Sequence, residues 1–253
     1  MSLSDFSRAV ADFARGGALG RLSGVALPDE ADAAGLAALV ARLPPAERVF
    51  AASLAPARRA TWAGGRVALR TALAALGVDA PSAIFATPRG APSLPAGVVG
   101  SIAHKDTLAV ALAARGDAAE ATVGVDLELP RAPRVDIAKR VLVERERAWI
   151  DALPTPEARA RALMTVFAAK EALYKALDPW LGRFVAFREA EISRMEAGAL
   201  AGRFFSRAGE RAFAITFAEE EVSGFVVVAA RCRPTDDPPD APIVVRASAS
   251  ATS

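Results

Sequence analysis

Apolar residues follow a helical period at the start of the chain and in several later segments. Leu3, Phe6, Val10 and Phe13 recur at helical spacing, which predicts an amphipathic helix there. The same reasoning predicts helices over residues 31–43, from Pro44-Pro45 to the break at Pro56, over 57–76, over 135–153 in one or two pieces, and over 156–177. Pro156 suits a first helical turn, and Gly77 is a stop signal for the helix before it.

Shorter apolar runs between turn-forming residues predict strands. They cover residues 98–103, 107–113 and 122–129 and, more briefly, 190–193, 202–206, 212–217 and 224–230. His104, Lys105 and Asp106 are predicted to form the turn between the first two strands. Residues 87–97 are dense in Pro and Gly, which predicts a loop.

Each half of the chain therefore combines long helices with a small, mostly antiparallel sheet. This order of elements predicts an α+β fold of two similar lobes. We place the first lobe at residues 1–117 and the second at residues 118–233. Residues 234–253 have few apolar side chains to bury and are expected to form a disordered tail.

Charge and cysteine content exclude several classes of protein. With 31 basic and 29 acidic side chains, the chain is not expected to bind nucleic acid by neutralising phosphates. One His and one Cys are too few for a zinc cluster or an intrachain disulfide. No apolar run reaches the roughly 18 residues of a membrane span, and the first residues lack a secretory layout. We expect a cytoplasmic monomer that binds no membrane.

Two carboxylates alternate along the predicted strand in the sequence VGVDLE. Asp126 and Glu128 would lie on one face, about 6.6 Å apart along the strand. Two like charges so close attract a cation. The alternative is that they belong to the solvated face of a half-buried strand, with Val123, Val125 and Leu127 packed inward.

The predicted helix 156–177 contains the sequence VFAAKEALYKAL. Glu171 and Lys175 are spaced for an ordinary surface ion pair, worth about 0.2–0.5 kcal/mol. However, the chain has only four lysines among its 31 basic residues, and Lys170 and Lys175 are two of them. This scarcity and the apolar neighbourhood favour a functional role, in which compact ammonium groups suit the site.

Strand and helix together suggest a magnesium site. Asp126, Glu128 and Glu171 supply too few oxygens for calcium but suit Mg²⁺, which keeps waters and takes further ligands from substrate phosphates. Lys170 and Lys175 would face the same phosphates. Acidic metal ligands beside cations imply a substrate that contains a diphosphate.

The remaining candidates are basic residues of the first half. His104 follows a predicted strand. A lone His is more often a structural or solvated residue, and without the order of a Ser-His-Asp triad it is not assigned as a catalytic base. In a phosphate site it would serve as a donor. Arg58, Arg66 and Arg89 could bind phosphate, although for each one alone an ordinary solvated charge is the simpler interpretation.

The assembled motifs resemble the 4′-phosphopantetheinyl transferase superfamily, in particular its small bacterial members that activate siderophore, nonribosomal peptide and polyketide synthases. The resemblance spans roughly residues 57–231. It rests on the ordered blocks RRATWAGGR, RGAPSLP, VGSIAH, VGVDLE and FAAKEALYKA. The pair GVDLE and AKEALYK, about 45 residues apart, is the most specific part.

The resemblance implies a pseudo-twofold, two-lobed fold that binds coenzyme A and Mg²⁺ in the cleft between the lobes. Asp126, Glu128 and Glu171 would hold the metal, and Lys170 and Lys175 would steady the diphosphate or the leaving group. Arg58, Arg66, Arg89 and His104 would bind the phosphates and adenosine end.

The implied reaction transfers the 4′-phosphopantetheine arm to a serine of an acyl or peptidyl carrier protein and releases 3′,5′-ADP. Lys175 would stabilise the leaving oxygen, and Glu171 would accept the serine proton. Two alternatives remain open. One is a magnesium-dependent phosphohydrolase, and the other is a silent relative that binds carrier proteins without transfer.

Overall fold

The computed structural model describes residues 19–29, 31–195 and 198–236. Its helices are α1 (Ala33–Ala41), α2 (Pro45–Ala52), α3 (Pro56–Ala75), α4 (Ala138–Val141), α5 (Glu144–Asp151) and α6 (Pro156–Leu181). Its strands are β1 (Arg21–Ala26), β2 (Val98–Lys105), β3 (Leu108–Arg115), β4 (Thr122–Glu128), β5 (Ala190–Arg194), β6 (Leu200–Phe204), β7 (Ala212–Val222) and β8 (Phe225–Thr235). A short 3-10 turn, Phe187–Glu189, precedes β5.

The first lobe is a three-stranded antiparallel sheet covered by α3. Its strand order is β1-β3-β2, with the apolar strand β3 in the centre. Ala109, Ala111 and Ala113 of β3 face the core under α3. The small side chains of this face let the helix approach the sheet closely.

The second lobe repeats this arrangement with the order β4-β8-β7 and the helix α6. Helix and sheet approach closely at Gly124, where an added Cβ would lie 1.8 Å from the carbonyl oxygen of Ala172. Thr122 Oγ1 donates to the carbonyl of Ala176 at 2.5 Å, which fixes the helix one turn further along. A separate hairpin, β5-β6, adjoins this core.

The two lobes meet along β2 and β4. Val123 and Leu127 of β4 join Val99 and Leu112 of the first lobe in a shared apolar cluster. The backbone N–H of Val125 donates to Ser101 Oγ of β2 at 3.1 Å. Every residue of β4 is buried, so the interpretation of Asp126 and Glu128 as a solvated strand face is wrong, because that face packs against α6.

This architecture confirms the predicted α+β fold of two similar lobes with small antiparallel sheets. The two lobes share their sheet size, their antiparallel pairing and one long covering helix each. The exact lobe boundary at residue 117 stays a prediction.

Three local expectations need correction. Strand β1 was not expected from the sequence, and it pairs with β3 along its full length. His104 and Lys105 belong to β2 and not to a turn, since they pair with Ala109 and Leu108. Strand β8 runs to Thr235, so the expected tail cannot begin at residue 234.

Two further expectations lie outside the described residues: the helix at the start of the chain, and residues 237–253 of the expected tail. Within the described ranges, no helix combines the length and apolar character needed to cross a membrane.

Candidate functional site

A pocket of about 300 Å³ lies between the lobes. One wall comes from α3, β2 and the loop between them, and the other comes from α6. The pocket collects these predicted residues: Arg58, Arg66, Arg89, His104 and Lys175. Arg58, Arg66, Arg89 and His104 come from the first lobe and Lys175 from the second, so both lobes contribute to this wall.

Helix α6 supplies the second wall, and its two ends are fixed by local signals. Thr155 caps the helix by accepting a hydrogen bond from the Ala158 N–H at 3.1 Å, and Pro156 occupies the first turn. Gly182 ends the helix in the left-handed conformation, with φ of 59°. Tyr174, Lys175 and Asp178, spaced within one turn, all line the pocket.

Lys175 connects the pocket to the acidic residues. Its Nζ atom lies 2.7 Å from Asp126 Oδ1 and 3.0 Å from the carbonyl oxygen of Val125. The Lys175 side chain keeps 28% of its surface exposed and the Asp126 side chain 12%. We call this contact the cleft pair. It holds a half-exposed ammonium at the border between the basic pocket and the carboxylates.

Glu171 is the second acidic residue near Lys175. Burial raises the pKa of its carboxyl, and the negative charge of Asp126 raises it further, while Lys175 opposes this rise. Glu171 lines a smaller, mostly apolar hollow with Phe184 and Val185. Within the described part of the chain, its carboxylate has no hydrogen bond or ion pair, so its oxygens are free to accept a proton or a ligand.

Glu128 completes the acidic set from the end of β4. Its Oε2 atom lies 2.7 Å from Lys105 Nζ, but this buried oxygen receives no hydrogen bond of good geometry. Burial raises the pKa of Glu128, Lys105 lowers it, and Asp126 raises it again. Glu128 borders an open groove of about 530 Å³ that is lined by Arg131 and Arg134.

The three carboxylates fit a divalent cation by chemistry. Each supplies the hard oxygen ligands that such a cation prefers. Burial and repulsion by neighbouring carboxylates raise the pKa values of Glu128 and Glu171. The buried Glu128 Oε2 contacts Lys105 but receives no hydrogen bond of good geometry. In the described residues, however, no three acidic, histidine or cysteine side chains are gathered into a ready-made metal site. Lys105 and Lys175 neutralise two of the carboxylates instead.

Arg58 and His104 form the outer part of the basic wall. Arg58 Nη1 lies 3.5 Å from His104 Nε2, the nitrogen that accepts in this contact. Partial burial lowers the pKa of His104, and the charges of Arg58 and Lys175 lower it further. A neutral ring beside two cations would gain a proton more easily once an anion entered the pocket.

Arg66 forms the inner part of the wall. Its guanidinium lies 4.6 Å above the ring of Trp62 and donates through Nε to the carbonyl of Ile84. Burial lowers the pKa of Arg66 to about 10, and the neighbouring Arg58 contributes to this decrease while Glu47 opposes it. A buried cation near a second cation is costly, so this part of the pocket favours an anionic ligand.

Arg89 reaches the pocket from the loop between α3 and β2. It donates through Nε to Asp178 Oδ2 at 2.9 Å and through Nη2 to Asp178 Oδ1. This contact raises the pKa of Arg89. The predicted residue is therefore at the site, but part of its donor set is occupied by a carboxylate from the opposite lobe.

Lys170 is not at the site, and its predicted phosphate-binding role does not fit its position. Its Nζ atom is buried, lies 2.6 Å from Glu146 Oε2 and donates to the carbonyl of Val141 at 2.8 Å. The exposed fractions of the two side chains are 1% and 0%. We call this contact the core pair. It joins α6 to the segment that contains α4 and α5.

Sequence reasoning missed several residues that line the pocket. Ser101, Trp62 and Asp178 carried no recognisable signal of their own, since Ser and Asp are frequent and Trp62 fits a core helix. Tyr174 did carry one, because it is the single tyrosine of the chain and lies within AKEALYK. A unique polar aromatic residue between Glu171 and Lys175 could have been assigned to the same wall.

Family models match most of the described chain. A model of the 4′-phosphopantetheinyl transferase superfamily matches residues 122–228, which contain the acidic residues and α6. A model of the 4′-phosphopantetheinyl transferase N-terminal domain matches residues 46–114, which contain the basic wall. The two matches thus divide the chain as the two lobes do.

Similar curated proteins carry the same description. The 4′-phosphopantetheinyl transferase Svp of Streptomyces mobaraensis is 36% identical over 61% of this chain and 62% of its own length. Npt of Nocardia iowensis is 36% identical over 59% of this chain and 65% of its own length. The alignment with each of these relatives thus covers less than two thirds of that relative.

PptT of Mycobacterium tuberculosis, another 4′-phosphopantetheinyl transferase, is 34% identical over 65% of this chain and 71% of its own length. This relative, both family models and the order of the motifs all indicate the same family, and together they cover both lobes. The chain therefore belongs to the 4′-phosphopantetheinyl transferase superfamily.

Proposed function

We propose that this protein transfers the 4′-phosphopantetheine arm of coenzyme A to a serine of an acyl or peptidyl carrier protein and releases 3′,5′-ADP. The observation that supports it best is a pocket in which Arg58, Arg66 and Arg89 of the first lobe meet Lys175 of the second, directly beside the cleft pair. Coenzyme A has a diphosphate and a separate phosphate on its ribose. A wall of several cations spread over one pocket suits such a ligand better than a single phosphate.

The cations have different tasks in this proposal. Arg66 and Arg58 contact the phosphates at the adenosine end, since their mutual repulsion is relieved by an anion. Arg89 and His104 add donors at the rim. Lys175 lies next to the carboxylates and steadies the oxygen that leaves with 3′,5′-ADP.

Mg²⁺ is part of the proposal, with Asp126, Glu128 and Glu171 as its ligands. When bound, it would offset the negative charge of the diphosphate oxygens. The close approach of Lys175 to Asp126 and of Lys105 to Glu128 shows that these carboxylates lie where a positive charge is favourable. Lys105 and Lys175 would each have to share or release a carboxylate oxygen.

The chemical step is an in-line substitution at phosphorus. The serine oxygen forms a bond to the phosphorus that bears the pantetheine arm, and the bond to the 3′,5′-ADP oxygen breaks. Glu171 accepts the serine proton, directly or through a water. Its position beside Lys175 and Asp126, with no ion pair of its own among the described residues, supports this role.

The test incubates the purified protein with coenzyme A, Mg²⁺ and an apo carrier protein and measures the carrier by mass spectrometry. We expect the carrier to gain the mass of one phosphopantetheine group. The variant Asp126→Ala should lose this activity while keeping its fold, because it removes a repelling carboxylate. Near-normal transfer by that variant would contradict the metal assignment.

Two other outcomes would replace the proposal. Consumption of coenzyme A with an unchanged carrier would indicate a phosphohydrolase, and binding without any reaction would indicate a silent relative. The cytoplasmic location and the monomeric state stay predictions of the sequence.

A further inference from the structure

The contact between Arg89 and Asp178 crosses the cleft. Arg89 belongs to the first lobe, and Asp178 belongs to α6 of the second, 89 residues later in the chain. Both residues line the proposed coenzyme A pocket. Asp178 is thus a carboxylate in the wall of a pocket that we assign to a phosphate-rich ligand, and its role there needs a physical explanation.

The position of Asp178 in the helix is unfavourable without a cation. It lies in the last turn of α6, where the helix dipole is negative and destabilises a carboxylate. The Asp178 side chain is 12% exposed, so water compensates little of this cost. Arg89 supplies the compensation, and both Asp178 oxygens accept hydrogen bonds from it.

The backbone of Arg89 is already fixed by a tight turn. The Gly90 N–H donates to the Thr87 carbonyl at 2.9 Å, and the Thr87 N–H donates to the Ala91 carbonyl at 2.7 Å. Gly90 has a φ of 89°, which suits glycine at this turn. Only the long side chain of Arg89, 44% exposed, retains freedom, and Asp178 removes that freedom.

The geometry leaves donors for a ligand. A guanidinium has five N–H groups in a rigid plane. Asp178 engages Nε and one hydrogen of Nη2, and Tyr174 also contacts the Arg89 side chain, so at least two N–H groups can still donate to phosphate oxygens. Arg89 can therefore bind Asp178 and a phosphate at the same time, through different edges.

We propose that Asp178 is a positioning residue that holds the Arg89 guanidinium across the cleft before coenzyme A binds, so that its free edge faces the ligand phosphates. This role rests on the proposed function. It reduces the conformational entropy that the Arg89 side chain loses when the ligand arrives. Asp178 does not contact the reacting atoms, so it affects binding and not the chemical step.

The test compares Asp178→Ala with wild type in carrier modification and in calorimetric binding of coenzyme A. Ordering one long side chain costs about 0.5–1.5 kcal/mol, so we expect KM and Kd for coenzyme A to rise roughly three- to tenfold. The value of kcat should change less than about twofold. Asp178→Asn keeps one acceptor oxygen in place and should give an intermediate KM.

A double-variant cycle shows whether Asp178 acts through Arg89. In the Arg89→Ala background, Asp178→Ala should have no further effect on KM. Glu221→Ala is the matched control, since Glu221 pairs with Arg161, whose side chain is 40% exposed, away from the pocket. That control should leave KM unchanged.

Three results would overturn the positioning role. The first is an unchanged or lower KM for coenzyme A in Asp178→Ala. The second is a rise in KM that persists in the Arg89→Ala background. The third is a lower unfolding temperature with a normal KM, which would indicate that the contact only stabilises the fold. The proposed function fails separately, if wild type binds coenzyme A but modifies no carrier.

Discussion

Helix α6 carries two lysine–carboxylate pairs five residues apart, and they differ in almost every physical respect. In the core pair, Lys170 and Glu146 are nearly inaccessible, with 1% and 0% of their side chains exposed. In the cleft pair, Lys175 and Asp126 retain 28% and 12%. The distances between the charged atoms are almost equal, at 2.6 and 2.7 Å.

The core pair is supported by several further hydrogen bonds. Glu146 also accepts from the backbone N–H groups of Val143 and Ile192, and Lys170 also donates to the Val141 carbonyl. Burial nevertheless raises the pKa of Glu146 and lowers that of Lys170, while their mutual contact opposes both changes. Breaking such a pair would destabilise the protein, and its side chains are too deeply buried to contact a ligand in the pocket.

The cleft pair, in contrast, is incompletely satisfied. Asp126 lies near a second carboxylate, Glu171, whose pKa it raises. Lys175 borders the pocket and is solvated in part. Two lysines of one motif thus differ mainly in burial, and we expect the buried one to stabilise the fold and the exposed one to act in the pocket. The following variants test this expectation.

The largest effect is expected from Lys170→Met. This change keeps most of the apolar stem but leaves the buried Glu146 charge without its partner, so the free energy of unfolding should fall by about 3–5 kcal/mol. Urea denaturation measures it. Adding Glu146→Gln removes the uncompensated charge and should restore part of the loss. A single variant within about 1 kcal/mol of wild type would show that the core pair is not structural.

The second effect concerns turnover. Lys175→Met should lower kcat roughly 100- to 1,000-fold, because it removes a positive charge from the leaving oxygen. The free energy of unfolding should change by about 1 kcal/mol or less, since the cleft pair is partly solvated. Both quantities are measured on the same protein, by carrier modification and by urea denaturation.

Lys139→Met is the control for this variant, because Lys139 is an exposed lysine outside the pocket. It should leave both quantities unchanged. If Lys175→Met instead strongly lowered the free energy of unfolding while the kcat of the folded protein stayed normal, the cleft pair would be the structural one and the comparison would be reversed.

The spacing of apolar residues in α6 distinguishes the buried Lys170 from the more exposed Lys175, although the motif alone does not. Val166, Leu173 and Leu177 lie at the −4, +3 and +7 positions from Lys170, and all are buried. Lys170 thus interrupts the apolar stripe of the helix. A residue in that stripe must face the core, so the helical period favours a buried role.

Other parts of the site could not be predicted because they depend on contacts between distant segments. Residue type and motif predicted that Arg58, His104 and Lys175 belong to one site, and they line one pocket. The burial of β4 on both faces was not predicted, because it requires the close approach of Ala172 to Gly124.

The contact between Arg89 and Asp178 was equally inaccessible from the sequence. Each residue alone is an ordinary charge, and only the closure of the two lobes brings them together. The helices and most strands were predictable because they depend on local periodicity. The pairing across the cleft was not, since no local pattern encodes it.

The smallest expected effect is a change in the pKa of His104 when the charges of the cleft pair are altered. His104 is the single histidine of the chain, so one imidazole resonance in a proton NMR titration reports its pKa. In wild type this pKa lies below the ordinary value of 6.5, chiefly through burial and through the charges of Arg58 and Lys175, while Asp126 raises it.

Lys175→Met removes a nearby positive charge and should raise the His104 pKa, whereas Asp126→Ala removes a negative charge and should lower it. Both changes should be small, because the intervening protein is partly solvated. Glu146→Gln changes only the core pair and should leave the pKa unchanged. Equal shifts in all three variants would mean that His104 responds to general loosening of α6, and the electrostatic distinction between the two pairs would then be lost.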